Sequence, residues 1–523
     1  MAKKYILVHD LGTTGNKAVI VDEKLNLLAS GYTPFESYYP HTNWVEQKPE
    51  DWWKAVVEST KEAIKSSGVN VADIAVVSFS AQMMSQTPVD KDGKLLVERT
   101  PIWADGRSGE QADRLNKVFG GLDKLYELHG VGWQSEIHVI NKLRWYKDNM
   151  PDVYKNTYKF LQAKEFIAQR LTGKYATEWG DASMCGYMDI KKRKLSEDIF
   201  KAAEIDMTKI PDVLESHDIM GRITAEAAKL TGLKEGTPVC LGSGDVICSN
   251  MGAGVVSPGM AYTYIGSANW TGVYSTVPST DAKIKMNCST VLPMPNAYHL
   301  VMITSAGGIA QQWIRDAMYG LENANAEKAG KSVYDEMTAD AEKIAAGSDG
   351  LLFLPYLRGG GAPHFDVNAR GAFLGALLPH TRGHFVRSLY EGVSFNIRWL
   401  YDLFESVGTP IFSLNEIRAI GGGVLNDSWM QVFADINSIP FARVSNPQQA
   451  TAVGAAIMGG VGVGVWDNYA DAAKLVSIDK RYKPNKANSE MYDALYPVFK
   501  DAYPNLKSTF DKIAAYQVKY MHE

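Results

Sequence analysis

Apolar and polar positions alternate in blocks from the start of the chain. Tyr5-Ile6-Leu7-Val8 is a β-branched and aromatic run, residues 12–15 hold the glycines of a turn, and Ala18-Val19-Ile20-Val21 is apolar again, which predicts strand, glycine turn, strand. Pro49-Glu50-Asp51 then puts a proline and two acids in a first helical turn. Trp53, Val56, Val57 and Ala63 follow on one face, so a helix is expected to run to Ser66 or Ser67. Ile74 to Phe79 is a short apolar strand, Asp90-Lys91-Asp92-Gly93 marks a hairpin-type turn, and α/β alternation continues to about residue 255. Near residue 260 the pattern starts again. Ala261 to Ile265 reads as a strand, Gly266-Ser267 as a turn and Trp270 to Tyr274 as a strand, with later buried runs at Leu351 to Pro355 and at Ile417 to Ile420, before Gly421-Gly422-Gly423. The echo between residues 5–21 and 261–274 hints at two related α/β halves, although strand–glycine–strand units are common.

A length of 523 residues is too great for one compact core and suits about two to four domains. With 46% hydrophobic and 22% charged residues, every part is expected to fold. The net charge is −5 and the only compact basic run, Lys191-Lys192-Arg193-Lys194, reads as a solvated turn, so nucleic acid is not implied as a partner. Cys185, Cys240, Cys248 and Cys288 show no CxxC pair and read as buried free thiols in a reducing compartment. The N-terminal MAKKYILVHDLG lacks a long apolar region and a cleavage pattern, and the longest small and apolar stretch, Val453 to Trp466, falls short of the roughly 20 residues a membrane helix needs. A cytoplasmic protein without membrane partners is the expectation.

Three glycine turns carry candidate chemistry. In Asp10-Leu11-Gly12-Thr13-Thr14-Gly15-Asn16-Lys17, backbone amides and hydroxyls converge at strand ends, Lys17 adds positive charge, and Asp10 could hold a water-coated Mg²⁺. An ordinary hairpin with Asp10 capping the turn is the alternative. Leu241-Gly242-Ser243-Gly244-Asp245 presents a carboxylate after a side-chain-poor turn, as phosphoryl transfer to an alcohol requires of its base; a plain helix N-cap is the other reading. Gly421-Gly422-Gly423-Val424-Leu425-Asn426 lies between a strand and an apolar helix pattern, where glycines could admit a flat purine or merely allow tight packing. Gly459 to Gly464 reads as packing. No GxxxxGK[ST] loop, GxSxG elbow, HExxH or CxxC occurs, and His380 with His384 makes no zinc site.

Together these segments resemble the FGGY carbohydrate kinases, over nearly the whole chain. YILVHDLGTTGNKAVIVD is similar to that family's first phosphate segment, YTYIGSANWTGVY to the second, and SAGGIAQQWIRDAM to a nucleotide-side segment through Gly308, Gln312 and Trp313. AIGGGVLNDSWMQVFADI resembles the adenosine segment through Gly422 and Asn426, and GAFLGALLPHTRGHFVRSLYEGV the C-terminal signature, departing at Ala376. EQKPEDWW, IWADGRS, RLTGKYATEWGDAS and LLFLPYLRGGGAPH resemble the xylulose kinase branch. The resemblance implies two actin-like, ribonuclease H-like α/β domains (1–255 with the sugar contacts and first phosphate segment, 256–523 with the nucleotide) and an active-site cleft between them. It implies ATP and Mg²⁺ as cofactors and Asp245 as catalytic base. Thr13, Thr14 and Lys17 form the first phosphate grip, Gly266 and Ser267 the second, with Gly308, Gln312, Gly422 and Asn426 on the nucleotide and Mg²⁺ near Asp10 and Asp245. Sugar contacts are expected from Gln82, Met83, Met84, Trp103, Asp105 and Asp245; for Trp103 a core position, and for Asp105 an ion pair with Arg107, are equal alternatives. Dimerisation is common in the family, although no exposed stripe demands it.

The departures bear on substrate. Gln82-Met83-Met84-Ser85 stands where xylulose kinases usually read Gln-Met-His-Gly, Met83 and Met84 also replace the Arg-Glu pair of glycerol kinases, and Val246 replaces the usual Asn or Gln. Ile137 and Val139 occupy positions that are typically small or hydroxylated. A pocket lined by Met83, Met84 and Val246 is expected to favour a substrate less polar at one end. The expected activity is ATP-dependent phosphorylation of a hydroxyl of a ketopentose-type sugar; another sugar or polyol, an actin-like ATP switch, and a sugar binder without turnover are the rivals.

Overall fold

The computed structural model describes residues 4–521, so Met1, Ala2 and Lys3 of the N-terminal stretch and the last two residues lie outside it. The chain forms two compact units. The first takes residues up to Pro258 together with Tyr274–Leu300 and Gln449–Val476; the second takes Gly259–Val273, Val301–Gln448 and the chain from Ser477.

In the first unit a seven-stranded sheet runs in the order Ile219–Arg222, Pro238–Cys240, Ile74–Ala81, Tyr5–Leu11, Gly15–Val21, Leu27–Pro34, with Ser243–Gly244 also pairing with Ile74–Ala81. Tyr5–Leu11 is antiparallel to Gly15–Val21 and parallel to Ile74–Ala81. Both faces of these strands are buried, which explains why they read as continuous apolar runs. Leu7, Leu11, Ile20, Val77 and Phe79 pack with Trp52, Val56 and Ala63 of the helix Pro49–Ser67. That helix begins on Pro49 with Glu50 and Asp51 in its first turn and ends at Gly68 in the left-handed conformation. Its buried stripe is Trp52, Ala55, Val56, Ser59, Thr60 and Ala63, one position round from the expected Trp53 and Val57, because the Trp52 indole N–H is drawn inward to Gln47 Oε1 at 2.8 Å.

The opposite face is covered by the helix Ala450–Gly462, where Ser78 Oγ donates to the Ala455 carbonyl at 2.7 Å. This helix also lies against the helix Asp245–Gly252. A Cβ on Gly252 would collide with the Ala450 carbonyl oxygen, and one on Gly454 with that of Cys248, so the two helices touch backbone to backbone.

The second unit repeats the topology. Its sheet places Tyr298–Thr304, Asn269–Ser275, Ala261–Ile265, Ile417–Ile420, Phe441–Val444 and Ile478–Tyr482 side by side. Outward from Ala261–Ile265 the pairings are antiparallel to Asn269–Ser275, then parallel, parallel and antiparallel, the succession found outward from Tyr5–Leu11 in the first unit. The echo of residues 5–21 in 261–274 is therefore a repeat of whole sheets. All four cysteines are buried and free.

Candidate active site

In the first unit, parallel pairing brings two glycine turns to one edge. Ser243 and Gly244 pair with Ser80 and Ala81, while Ser80 and Ala81 pair with Asp10 and Leu11. Asp10 and Asp245 thus lie at the same end of the sheet, Asp10 on one of the two strands that flank Ile74–Ala81 and Asp245 directly after the other. Asp10 accepts a 2.8 Å hydrogen bond from Thr451 Oγ1, and burial raises its pKa against the opposing pull of that hydroxyl and of Lys17. Asp245 opens the helix Asp245–Gly252 with Gly244 at the cap, so it stands one residue inside the cap position. Its Oδ1 accepts from the Val246 amide at 2.8 Å. Burial, then the charge of Asp10, pushes its pKa up to about 7. A carboxylate poised near neutrality can both hold and release a proton.

Around these acids, Lys17 Nζ donates to Gln449 Oε1 at 3.3 Å, and Thr14 is exposed on the turn, its carbonyl held by the Phe35 amide. Thr13 Oγ1 accepts from the Trp103 indole at 3.0 Å, which joins the phosphate turn to a half-exposed aromatic lying roughly parallel to Trp133. Gln82 is bound through its side chain to Gln47 Oε1 at 2.8 Å, and Met83 lies against Gly244, where a Cβ would meet the thioether.

Two expected sugar ligands are taken up by structure. Asp105 is fully buried, accepts from the Val45 amide at 2.7 Å and pairs with Arg107 at 2.7 Å, the ion-pair arrangement of its two readings. Met84 is also fully buried, so its thioether does not line an open pocket. It has φ +60°, its amide donates to Gln162 Oε1 at 2.6 Å and its carbonyl accepts from Lys142 Nζ at 3.2 Å.

In the second unit a cavity of about 690 Å³ is lined by Gly266, Ser267, Gly308, Gln312, Gly422 and Asn426, with Thr338, Glu342 and Ser428 on its walls. Six residues scattered over 160 positions thus share one pocket. The turn Gly266-Ser267 sits at the head of the helix Gly308–Met318: the Gly308 amide donates to the Gly266 carbonyl at 2.6 Å and the Gly307 amide to Ser267 at 2.9 Å. Asn426 caps the helix Asp427–Asn437 through Trp429 N at 3.0 Å and donates to Thr338 Oγ1 at 2.9 Å and Tyr390 OH at 3.0 Å. The lining holds three carboxylates, Asp335, Glu342 and Asp427, and no lysine or arginine, which leaves the Gly266-Ser267 turn and the head of the helix Gly308–Met318 as the part of it suited to phosphates.

Comparison with known proteins gives this geometry a relationship. The FGGY family of carbohydrate kinases, N-terminal domain, matches residues 5–252, and its C-terminal domain matches residues 270–463. The chain belongs to the FGGY family of carbohydrate kinases. It is 29% identical to the xylulose kinase of Bacillus subtilis over 96% of this chain and 97% of that protein. It is 28% identical to the gluconokinase of Bacillus licheniformis, over 98% of each. The crystal structure of xylulose kinase from Rhodospirillum rubrum superposes with a TM-score of 0.84 at 27% identity, covering 97% of this chain and 100% of that one. As an FGGY kinase the protein is a carbohydrate phosphotransferase whose substrates are a sugar and ATP. Among the described residues no helix is long and apolar enough to cross a membrane.

Several residues of the FGGY kinase's first unit were not foreseen. Thr451 and Gln449, which hold Asp10 and Lys17, lie in the unremarkable Ser445-Asn446-Pro447-Gln448-Gln449-Ala450-Thr451 stretch, more than 430 residues downstream. Glu178, fully buried within the quoted TEWGDAS segment, accepts from four donors: the Gly180 and Asp181 amides at 2.7 and 2.8 Å, Ser216 Oγ at 2.7 Å and Ser243 Oγ at 2.9 Å. Beside it, buried Lys164 pairs with Asp181 at 2.6 Å. The sequence signal was slight: Glu178 and Asp181 lie in an apolar and small-residue stretch, whereas Lys164 stands among the charged and polar residues Glu165, Gln169 and Arg170 and carries no mark.

Proposed function

We propose that the enzyme transfers the γ-phosphoryl group of ATP to a hydroxyl of a ketopentose-type sugar, with Asp245 as general base. The observation that carries this reading is an acid at the head of a helix whose pKa is raised to about 7 by burial and by Asp10, at the edge where two glycine turns meet. Asp245 accepts the hydroxyl proton as the oxygen attacks, and the Val246 amide holds one carboxylate oxygen so that the other faces the acceptor. Thr13, Thr14 and Lys17 offer an amide-rich turn and a cation to the transferred phosphoryl, while Gly266, Ser267 and the head of the helix Gly308–Met318 offer theirs to the remaining phosphates. Gly422 and Asn426 border the base. Gln82, Met83 and Trp103 stand on the sugar side; Asp105 acts only indirectly, by fixing Arg107.

Asp10 and Asp245 suit Mg²⁺, since two partly desolvated carboxylates whose charges oppose one another are relieved by a cation that keeps its water and takes the rest of its ligands from phosphate. Bound there, Mg²⁺ would neutralise phosphate charge. The residues named for 1–255 and 256–523 divide accordingly into sugar side and nucleotide side.

Relatives of nearly equal identity carry the names xylulose kinase and gluconokinase, so the test spans both kinds of acceptor. Met83 and Val246 favour an acceptor with one less polar end. The deciding experiment measures ADP release with D-xylulose, other ketoses, polyols and gluconate. Ketose-dependent ADP is expected; ADP that forms equally without any acceptor would indicate an ATP switch and overturn the reading.

The pH profile follows from the base. Asp245 must be ionised, so kcat/KM for the sugar falls about tenfold per pH unit below the pKa the carboxylate has with Mg²⁺ bound, which lies below the metal-free value of about 7, and levels off above it. Activity that rises as the pH falls through the acid range would contradict the assignment. On the nucleotide side, Asn426→Ala removes a helix cap and the side chain that spans Thr338 and Tyr390. It is expected to cost about 1 kcal/mol in thermal unfolding and to raise the KM for ATP several-fold at unchanged sugar KM.

A further inference from the structure

Asp245 can serve as base only if its short approach segment is held still, since a displacement of about 1 Å at a reacting group can cost about 100-fold in rate. Ser243–Gly244 contributes just two residues to the sheet and follows Gly242, so main-chain pairing to Ser80 and Ala81 is a slender anchor. The Ser243 side chain supplies another. Its hydroxyl donates to Glu178 Oε1 at 2.9 Å, and both residues are fully buried.

Glu178 is itself immobilised. Its Oε2 accepts from Gly180 N and Ser216 Oγ, its Oε1 from Asp181 N and Ser243 Oγ, and Lys164 Nζ lies 3.6 Å away. A buried carboxylate with four donors and a neighbouring ammonium is a rigid acceptor of fixed direction. Gly244 is enclosed on its other side: a Cβ there would lie 2.7 Å from Asp181 Oδ1 and collide with Met83. The base is thus approached through a dipeptide clamped between the Glu178 carboxylate and the Met83–Asp181 wall.

We propose that Glu178 is a positioning residue for phosphoryl transfer, acting through Ser243 to aim Asp245 at the acceptor hydroxyl. The inference rests on the reading of Asp245 as base.

Two hydroxyls on the same carboxylate give the test. Ser243→Ala and Ser216→Ala each remove one donor from Glu178, but only Ser243 leads to Asp245. A purely structural hub predicts equal consequences for both; a positioning role separates them. The expected result is that both variants lose thermal stability to a similar degree, while Ser243→Ala alone lowers kcat, by about tenfold, with the KM for ATP unchanged. Ser243→Thr, which restores the hydroxyl, is expected to recover most of that loss. Ser216→Ala should keep kcat within twofold. Equal kcat in Ser243→Ala and wild type, equal losses in both alanine variants, or a loss confined to the KM for sugar would each overturn the proposal. If Ser243→Ala does not fold, Ser243→Cys, nearly the same size and a weaker donor, provides the same comparison. Asp245→Asn is assayed in parallel: if it remains active the base assignment has failed, whereas an inactive Asp245→Asn with Ser243→Ala equal to wild type removes this proposal alone.

Discussion

Asp245→Asn is expected to reduce sugar-dependent ADP formation by about 10³-fold, within the range a positioned base contributes, and to leave ATP affinity within about twofold in calorimetric titration. The substitution preserves size and the acceptor for the Val246 amide but removes the only group at that position that can take a proton. Stability supplies a second, independent readout. The pKa of Asp245 is raised in the folded protein, first by burial and then by Asp10. The folded state therefore holds that proton more tightly than the unfolded chain does, so ionised Asp245 weakens the fold as pH rises from about 4 to 7. Asparagine abolishes that penalty, and the variant should be more thermostable than wild type at pH 8 with a smaller advantage at pH 5. Wild-type turnover in Asp245→Asn, or a variant less stable at pH 8 than at pH 5 relative to wild type, would reject the assignment.

Gly252→Ala is expected to carry the largest structural effect. Its added methyl would meet the Ala450 carbonyl oxygen, a backbone atom that cannot swing aside, so one of the two crossing helices must move. Overpacking of this sort costs about 3 kcal/mol, readable as a lower urea midpoint. Because the displaced helix begins with Asp245, kcat should fall as well, although residue 252 lies seven positions from the base. Gly109→Ala, where the new methyl would meet nothing within 4 Å, is the control and should change neither quantity appreciably. Equal behaviour of the two variants would refute this account of the helix crossing.

The strands and the repeat were legible because the central strands of both sheets are buried on two faces, so that Ile6-Leu7-Val8 and Ala18-Val19-Ile20-Val21 announce themselves by hydrophobicity alone. The turns were legible because only small residues fit where strand ends converge. Side-chain direction was less so: Trp52 and Trp53 are equivalent in any periodicity count, and only the hydrogen bond to Gln47 decides which faces inward. Asp105 and Met84 show the other limit. A carboxylate two residues before an arginine looks the same in sequence whether it serves a ligand or an internal pair, and burial resolves it. Long-range support was invisible. Nothing around Thr451 or Ser216 marks them as partners of Asp10 and Glu178, since hydrogen bonds across hundreds of residues leave no local pattern.

The return of Gln449–Val476 to the first unit has a consequence for how the enzyme comes into being. One wall of the first sheet, the hydroxyl that steadies Asp10 and the backbone that Gly252 touches all come from the helix Ala450–Gly462, more than 200 residues after Asp245. A nascent chain holding every candidate catalytic carboxylate still exposes the apolar face of Ile74–Ala81, and loop closure over some 370 residues must precede the completed unit. Chemistry and completion are thus separated in time: the acids are made first, and the scaffold that gives them their direction follows some 200 residues after Asp245.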